Sequence, residues 1–370
     1  MKDFFNPNIF IFAYILFILI GLIFKTRYLD YSLNPLIFFY VFCGLSCFYI
    51  GTKINLKIKK EHILFIILVL LFYYSFILYS YYAFLIVPPI FFILKLDFKK
   101  HSKLFYFLGV ALLIINFIYI RDIPLFNPDL RRKALTIIFV CGYSLLFIGF
   151  NFQILKKFSP KLFILAFFIL FLYGYRTYIL ILILSTAIIL YYKKEIRSNL
   201  WLFVLALIFL IVLNIAFLSF TSQRWKLDFL NLIFYRISYT VYVLNLIVEK
   251  SGFFGYCHGL WLHPITGDIV GKIVLGYEHN TTSTILGPLI LDFGIIEVPI
   301  MIFFGSVLAT VRKKMDTLKK AIPYYSILLS ITLLCVEISP IPLIIFPYLI
   351  ALYKVSSFKQ NTILSFSFHR

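Results

Sequence analysis

Apolar runs of about 20 residues recur along nearly the whole chain, separated by short clusters of lysine and arginine. A run of that length carries an α-helix across the hydrocarbon core of a bilayer. No water reaches that core, so a spanning backbone must hydrogen-bond to itself, as a helix or a closed barrel. The runs are continuous and lack the apolar–polar alternation of a barrel strand. The sequence therefore predicts an all-α polytopic membrane protein. Spans are expected over 8–24, 35–52, 63–79, 81–95, 104–120, 134–153, 162–175, 177–192, 200–219, 283–310, 322–338 and 340–355. That is about 12 transmembrane helices, within a range of 10–13, in a single integral membrane domain over 1–370.

Only 14% of the residues are charged and 62% are hydrophobic, against about 25% charged in soluble domains. The formal net charge is +20. In a soluble chain that excess would point to nucleic acid. Here cytoplasmic loops of a membrane protein collect lysine and arginine, and no nucleic-acid partner is expected. The first apolar run is not followed by a small-residue cleavage site, so no cleavable signal peptide is expected. Cys43 and Cys47 sit one helical turn apart with no further ligand nearby, and the spacing of His258, His263 and His279 is not a compact ligand set. No metal and no other cofactor are expected; no phosphate-binding glycine loop is present.

Two stretches, 63–95 and 162–192, are too long for one span and short for two. Each is basic at both ends, which puts both ends on one side of the membrane. A tight helical hairpin or a pair of half-helices satisfies this. Pro88-Pro89 breaks the first stretch, and Gly174-Tyr175-Arg176-Thr177 the second.

Placing loops 53–62, 96–103, 156–161, 193–199 and 311–321 in the cytoplasm, with both termini, puts 23 of the 35 Lys+Arg residues there. The remainder sort by type. Seven of the ten arginines fall outside (27, 121, 131, 132, 176, 224 and 236), but only five of the 25 lysines. Lysines inside read as topology signals. Arginines outside offer planar forks that bind phosphate or carboxylate through paired bonds. The blander reading pairs them with external carboxylates, but external Lys+Arg exceeds Asp+Glu by 12 to 7. An anionic ligand at the outer face is the favoured expectation.

Residues 220–282 form a long extracytoplasmic loop, and long ordered loops usually carry function. Within it, Asp228 to Lys250 reads as an amphipathic helix, with Leu230, Ile233, Phe234, Ile237, Val241, Leu244 and Val248 at three-to-four spacing. Tyr235, Tyr239 and Tyr242 give it an aromatic surface suited to the membrane interface. Arg176 is the sharpest single signal, because a charge within an apolar run is costly and usually marks a site. As an alternative it snorkels from a hairpin tip. The proline-stiffened loop 121–132 adds Arg121, Arg131 and Arg132, whose plainer role is local pairing with aspartate. Arg224 and Arg236 follow the ninth span, where a headgroup anchor is the alternative. His258, His279 and Glu278 are candidate general bases, though each alone is more often structural.

Four features resemble the oligosaccharide repeat-unit polymerases, the O-antigen polymerase (Wzy-type) family. They are Ile123-Pro124-Leu125-Phe126 with Arg131 downstream, the Gly174-Tyr175-Arg176-Thr177 turn, the long loop with Arg224 and Arg236, and the run Thr281-Thr282-Ser283-Thr284-Ile285-Leu286-Gly287-Pro288-Leu289-Ile290-Leu291-Asp292-Phe293-Gly294. Together they cover about 120–310. The chain departs from the family pattern at Glu297, where a second glycine is frequent. The resemblance implies a cell-membrane glycosyltransferase of surface-polysaccharide synthesis. Its substrate would be a polyprenyl-diphosphate-linked oligosaccharide, and its surroundings the lipid bilayer, a flippase and a chain-length regulator. It assigns Arg176, Arg224 and Arg236 to the diphosphate, with Arg121, Arg131 and Arg132 supporting, and His258, His279 or Glu278 as base. An O-antigen ligase-type transferase shares this chemistry with another acceptor. A lipid-linked oligosaccharide flippase or exporter would instead carry charges along several spans, and here the charges gather outside them.

Overall fold

The computed structural model describes residues 3–79, 87, 94–127, 130–194, 229–259, 266–277, 281–338 and 341–358. The expected span 200–219, most of 81–95, and Arg224, Glu278 and His279 lie outside the described residues. Every regular element among the described residues is helical. In chain order these are α1 (Ile9–Tyr28), α2 (Leu36–Lys53), α3 (Lys60–Tyr79), α4 (Ser102–Ile120), the single turn α5 (Leu130–Lys133), α6 (Ile137–Lys156), α7 (Pro160–Leu172) and α8 (Arg176–Tyr192). There follow α9 (Phe229–Ser251), α10 (Thr266–Leu275), α11 (Leu286–Phe293), α12 (Ile300–Thr317), α13 (Ile322–Leu334) and α14 (Ile341–Ser356).

Four of them, over 36–53, 60–77, 102–120 and 137–156, are long and apolar enough to cross a bilayer, and a bent pair makes a fifth candidate. Large apolar side chains on these helices and on α1 face outward: Phe42 is 71% exposed, Phe65 68% and Ile118 70%. On a soluble surface a belt of that kind would aggregate; against lipid chains it is the favourable arrangement.

Local chemistry sets the helix ends. Thr136 caps α6, its hydroxyl accepting from the Phe139 N–H at 3.2 Å. Pro160 opens α7, where its missing N–H costs nothing. The expected continuous span 283–310 is instead broken. α11 ends at Phe293, a 3-10 turn covers Gly294–Ile296, and α12 departs at 120° to the first segment. Gly294 has φ +58°, a torsion that ends a helix and that side chains resist. A Cβ there would collide with the Phe253 carbonyl.

Helix pairs close along small residues. α4 lies on α6 through Gly109, Gly142 and Gly149: an added Cβ would strike the facing backbone at Gly109 and Gly149 and press on it at 3.1 Å at Gly142. α12 lies on α2, α13 on α8, and α9 on α1. The last pairing gives the amphipathic helix an apolar partner within the protein: Phe24 stacks on Phe234 at 4.0 Å, and the Ser238 hydroxyl reaches the Gly21 carbonyl at 3.3 Å.

Polar contacts gather at two ends of the bundle. At one end, Arg312 holds Asp3 (Nη2–Oδ2 2.5 Å) and also Asp316. The Tyr192 hydroxyl donates to Asp3 at 2.9 Å, Lys156 reaches Ser102 at 3.0 Å, and Lys193 reaches the Ile154 carbonyl at 2.9 Å. The candidate site occupies the other end.

Candidate functional site

A short polar segment, Thr281 to Ile285, is the hub of that end. Thr281, Ser283 and Thr284 are buried, so each polar group there needs a partner. The Thr281 hydroxyl donates to the Gly267 carbonyl at 3.1 Å, tying the hub to α10. Thr282 shares a hydroxyl contact of 3.1 Å with Thr240 of α9. Thr284 does the same at 2.7 Å with Tyr14 of α1. On the opposite side, the Thr284 N–H donates to the Glu337 carbonyl at 3.3 Å and the Ile285 N–H to the Cys335 carbonyl at 2.9 Å. Four distant parts of the chain therefore meet at one buried loop.

Two candidate arginines converge beside it. Arg176 is the first residue of α8, following a turn in which Gly174 adopts φ +72°. Its Nη2 lies 2.8 Å from Glu337 Oε1. Arg236 projects from α9, one turn before Thr240, and its Nε donates to the same Oε1. Two guanidinium groups thus share one carboxylate oxygen, leaving the cluster with a formal net charge of +1. All three side chains stay reachable: Arg176 is 22% exposed, Glu337 26% and Arg236 40%. Glu337 was not among the carboxylates expected to pair with the external arginines, because it falls inside the apolar run 322–338. An acidic residue at such a position is itself a site signal, of the same kind that singled out Arg176.

The proline loop comes close through Tyr175. The Leu125 N–H donates to the Leu172 carbonyl at 3.0 Å, fastening the loop to the end of α7. The Tyr175 hydroxyl donates to the Arg131 carbonyl, and Arg131 Nε donates to the Pro124 carbonyl at 3.3 Å. Burial pulls the Arg131 guanidinium below the usual arginine range, with Tyr175 working against that shift. Arg121 ends α4 with a left-handed φ of +57° and lies exposed. Arg132 follows Arg131 in α5, its side chain outside the described residues.

His258 sits elsewhere. Its loop packs against the far end of α11: the Tyr256 N–H donates to the Leu291 carbonyl at 2.8 Å, and the Gly259 N–H to the buried Asp292 carboxylate. The exposed His258 ring lies 5.1 Å from the Phe293 ring. The hub leads into the first turn of the eight-residue α11, and His258 lies against its last residue. The neighbouring Cys257 thiol is pushed up to about 11 by burial and by Asp292. Among the described residues no group of His, Cys, Asp and Glu is placed to hold a metal ion.

The family described as "Putative O-antigen polymerase" matches residues 3–349, nearly the whole chain. Uncharacterized protein MJ0419 of Methanocaldococcus jannaschii is 31% identical over 262 residues, covering 66% of this chain and 73% of that protein. Uncharacterized protein MJ0420 of the same organism is 32% identical over 187 residues, covering 50% of this chain and 47% of that protein. No solved structure matches the chain.

Proposed function

This chain belongs to the O-antigen polymerase family, and we propose that it joins polyprenyl-diphosphate-linked oligosaccharide repeat units at the outer face of the cytoplasmic membrane. The observation that carries this reading is the convergence of Arg176 and Arg236 on Glu337 beside the buried threonine hub. A polymerase of this kind must stabilise a leaving diphosphate, and paired arginine forks are the side chains best matched to that task.

In the proposed reaction an acceptor sugar hydroxyl attacks the anomeric carbon of the donor. A new carbon–oxygen bond forms as the bond to the diphosphate breaks. The electron pair leaves on the diphosphate oxygen, where Arg176 and Arg236 neutralise it. The hydroxyl proton passes to a base, for which His258, His279 and Glu278 are the candidates. The diphosphate itself carries the energy of the reaction, so no nucleotide is consumed. Arg131 would support the carrier-lipid side through the Tyr175 contact, with Arg121, Arg132 and Arg224 contributing to an electropositive mouth.

The reading extends to topology: about twelve spans, with both termini and the Asp3–Arg312 end in the cytoplasm. It is supported by the gathering of the expected inner loops at one end of the bundle and of the arginine cluster at the other. A flippase would supply the donor, and a chain-length regulator would limit the product. Feeding the purified protein a lipid-linked repeat unit tests the proposal. It expects a ladder of products, and a loss of about 100-fold or more for Arg176→Ala. Transfer to a different acceptor would make the protein a ligase, and transbilayer movement without new bonds a flippase.

A further inference from the structure

We propose that the Glu337 carboxylate is an intramolecular stand-in for the donor diphosphate: it holds Arg176 and Arg236 convergent between turnovers and releases them when a diphosphate arrives. This rests on the reading of the arginine pair as the diphosphate pocket.

Three features of the cluster carry it. First, both guanidiniums use the single oxygen Oε1. A carboxylate dedicated to anchoring one arginine would meet it with two parallel bonds. Here one oxygen holds two cations from helices 60 residues apart in sequence, which sets their spacing at that of neighbouring oxygens on one anion. Second, one negative charge does not balance two positive ones, and the partial exposure of all three side chains lets a dianion reach them. A diphosphate brings more oxygens and more charge than the carboxylate it displaces. Third, the backbone of Glu337 is fixed independently of its side chain. Its carbonyl accepts from Thr284 at 3.3 Å, and its N–H donates to the Leu334 carbonyl at 3.0 Å. The side chain can swing away without disturbing the hub. Glu337 is thus a positioning residue that competes with the ligand it prepares the site for.

The test is calorimetric titration of the full-length protein in lipid nanodiscs with farnesyl diphosphate as probe. Glu337→Gln removes the competing charge, so it is expected to bind the probe about tenfold more tightly than wild type, with Arg176→Ala binding far more weakly. Glu337→Asp, shorter by one methylene, is expected to fall between wild type and Glu337→Gln, and serves if the glutamine variant does not accumulate. A merely structural Glu337 would lower affinity and melting temperature together. Wild type binding the probe, Arg176→Ala losing it, and neither Glu337 variant gaining affinity would overturn the inference alone. Equal binding by wild type and Arg176→Ala would remove the diphosphate pocket itself, and the inference with it.

Discussion

Thr284 shows how much one side chain is asked to do at the hub. It holds a left-handed φ of +60°, shares a 2.7 Å hydroxyl contact with Tyr14, and accepts from the Leu286 N–H at 3.3 Å. Thr284→Val keeps the branching and deletes the hydroxyl, stranding the buried Tyr14 hydroxyl. It should lose about 1–3 kcal/mol, read as a lower melting temperature in detergent. Cys257 gives a pH-dependent readout. Its thiol is pushed up to about 11, so at pH 8 almost none is thiolate. In a variant with the other four cysteines replaced by serine, alkylation by N-ethylmaleimide should still be climbing at pH 10. A midpoint near pH 9, the behaviour of an ordinary thiol, would contradict the loop packing against Asp292. Arg176 could be singled out from sequence because a charge in an apolar run is conspicuous. The role of Glu337 could not, since its partners lie 161 and 101 residues away and only the folded bundle brings them to it.

At the scale of elements, the apolar runs foretold most of the long described helices but not Thr266–Leu275, because a continuous run buried or facing lipid leaves the backbone no other partner than itself. The amphipathic reading of 228–250 corresponds to α9, and its apolar stripe lies on α1. The break after Phe293 was not read, and the reason is physical. Gly294 combines a left-handed torsion with close approach of the Phe253 carbonyl, which comes from a loop some forty residues earlier and leaves no room for a Cβ. Hydropathy carries no trace of such a contact. Gly294→Ala should therefore detach the 253–259 loop from α11, seen as faster protease cleavage within that loop. Gly149→Leu would drive a side chain into the Tyr106 backbone of α4. Overpacking of that kind costs typically 1–3 kcal/mol, and the α4–α6 pair should separate in hydrogen exchange before the rest of the bundle.

At the scale of the molecule, the bundle keeps two unlike ends. Reporter fusions placed at residue 55 and at residue 127 should report opposite sides of the membrane if the inner and outer loops sort as proposed. The end carrying Arg176 depends on residues made at very different times. Glu337 is made 161 residues after Arg176 and 101 after Arg236, when both arginines have long left the ribosome. Domains assemble as their parts emerge, and contacts of high sequence separation come last. Translation thus acts as a timer on the cluster: in a nascent chain the two arginines have no Glu337 carboxylate between them until the ribosome has moved 101 residues past Arg236.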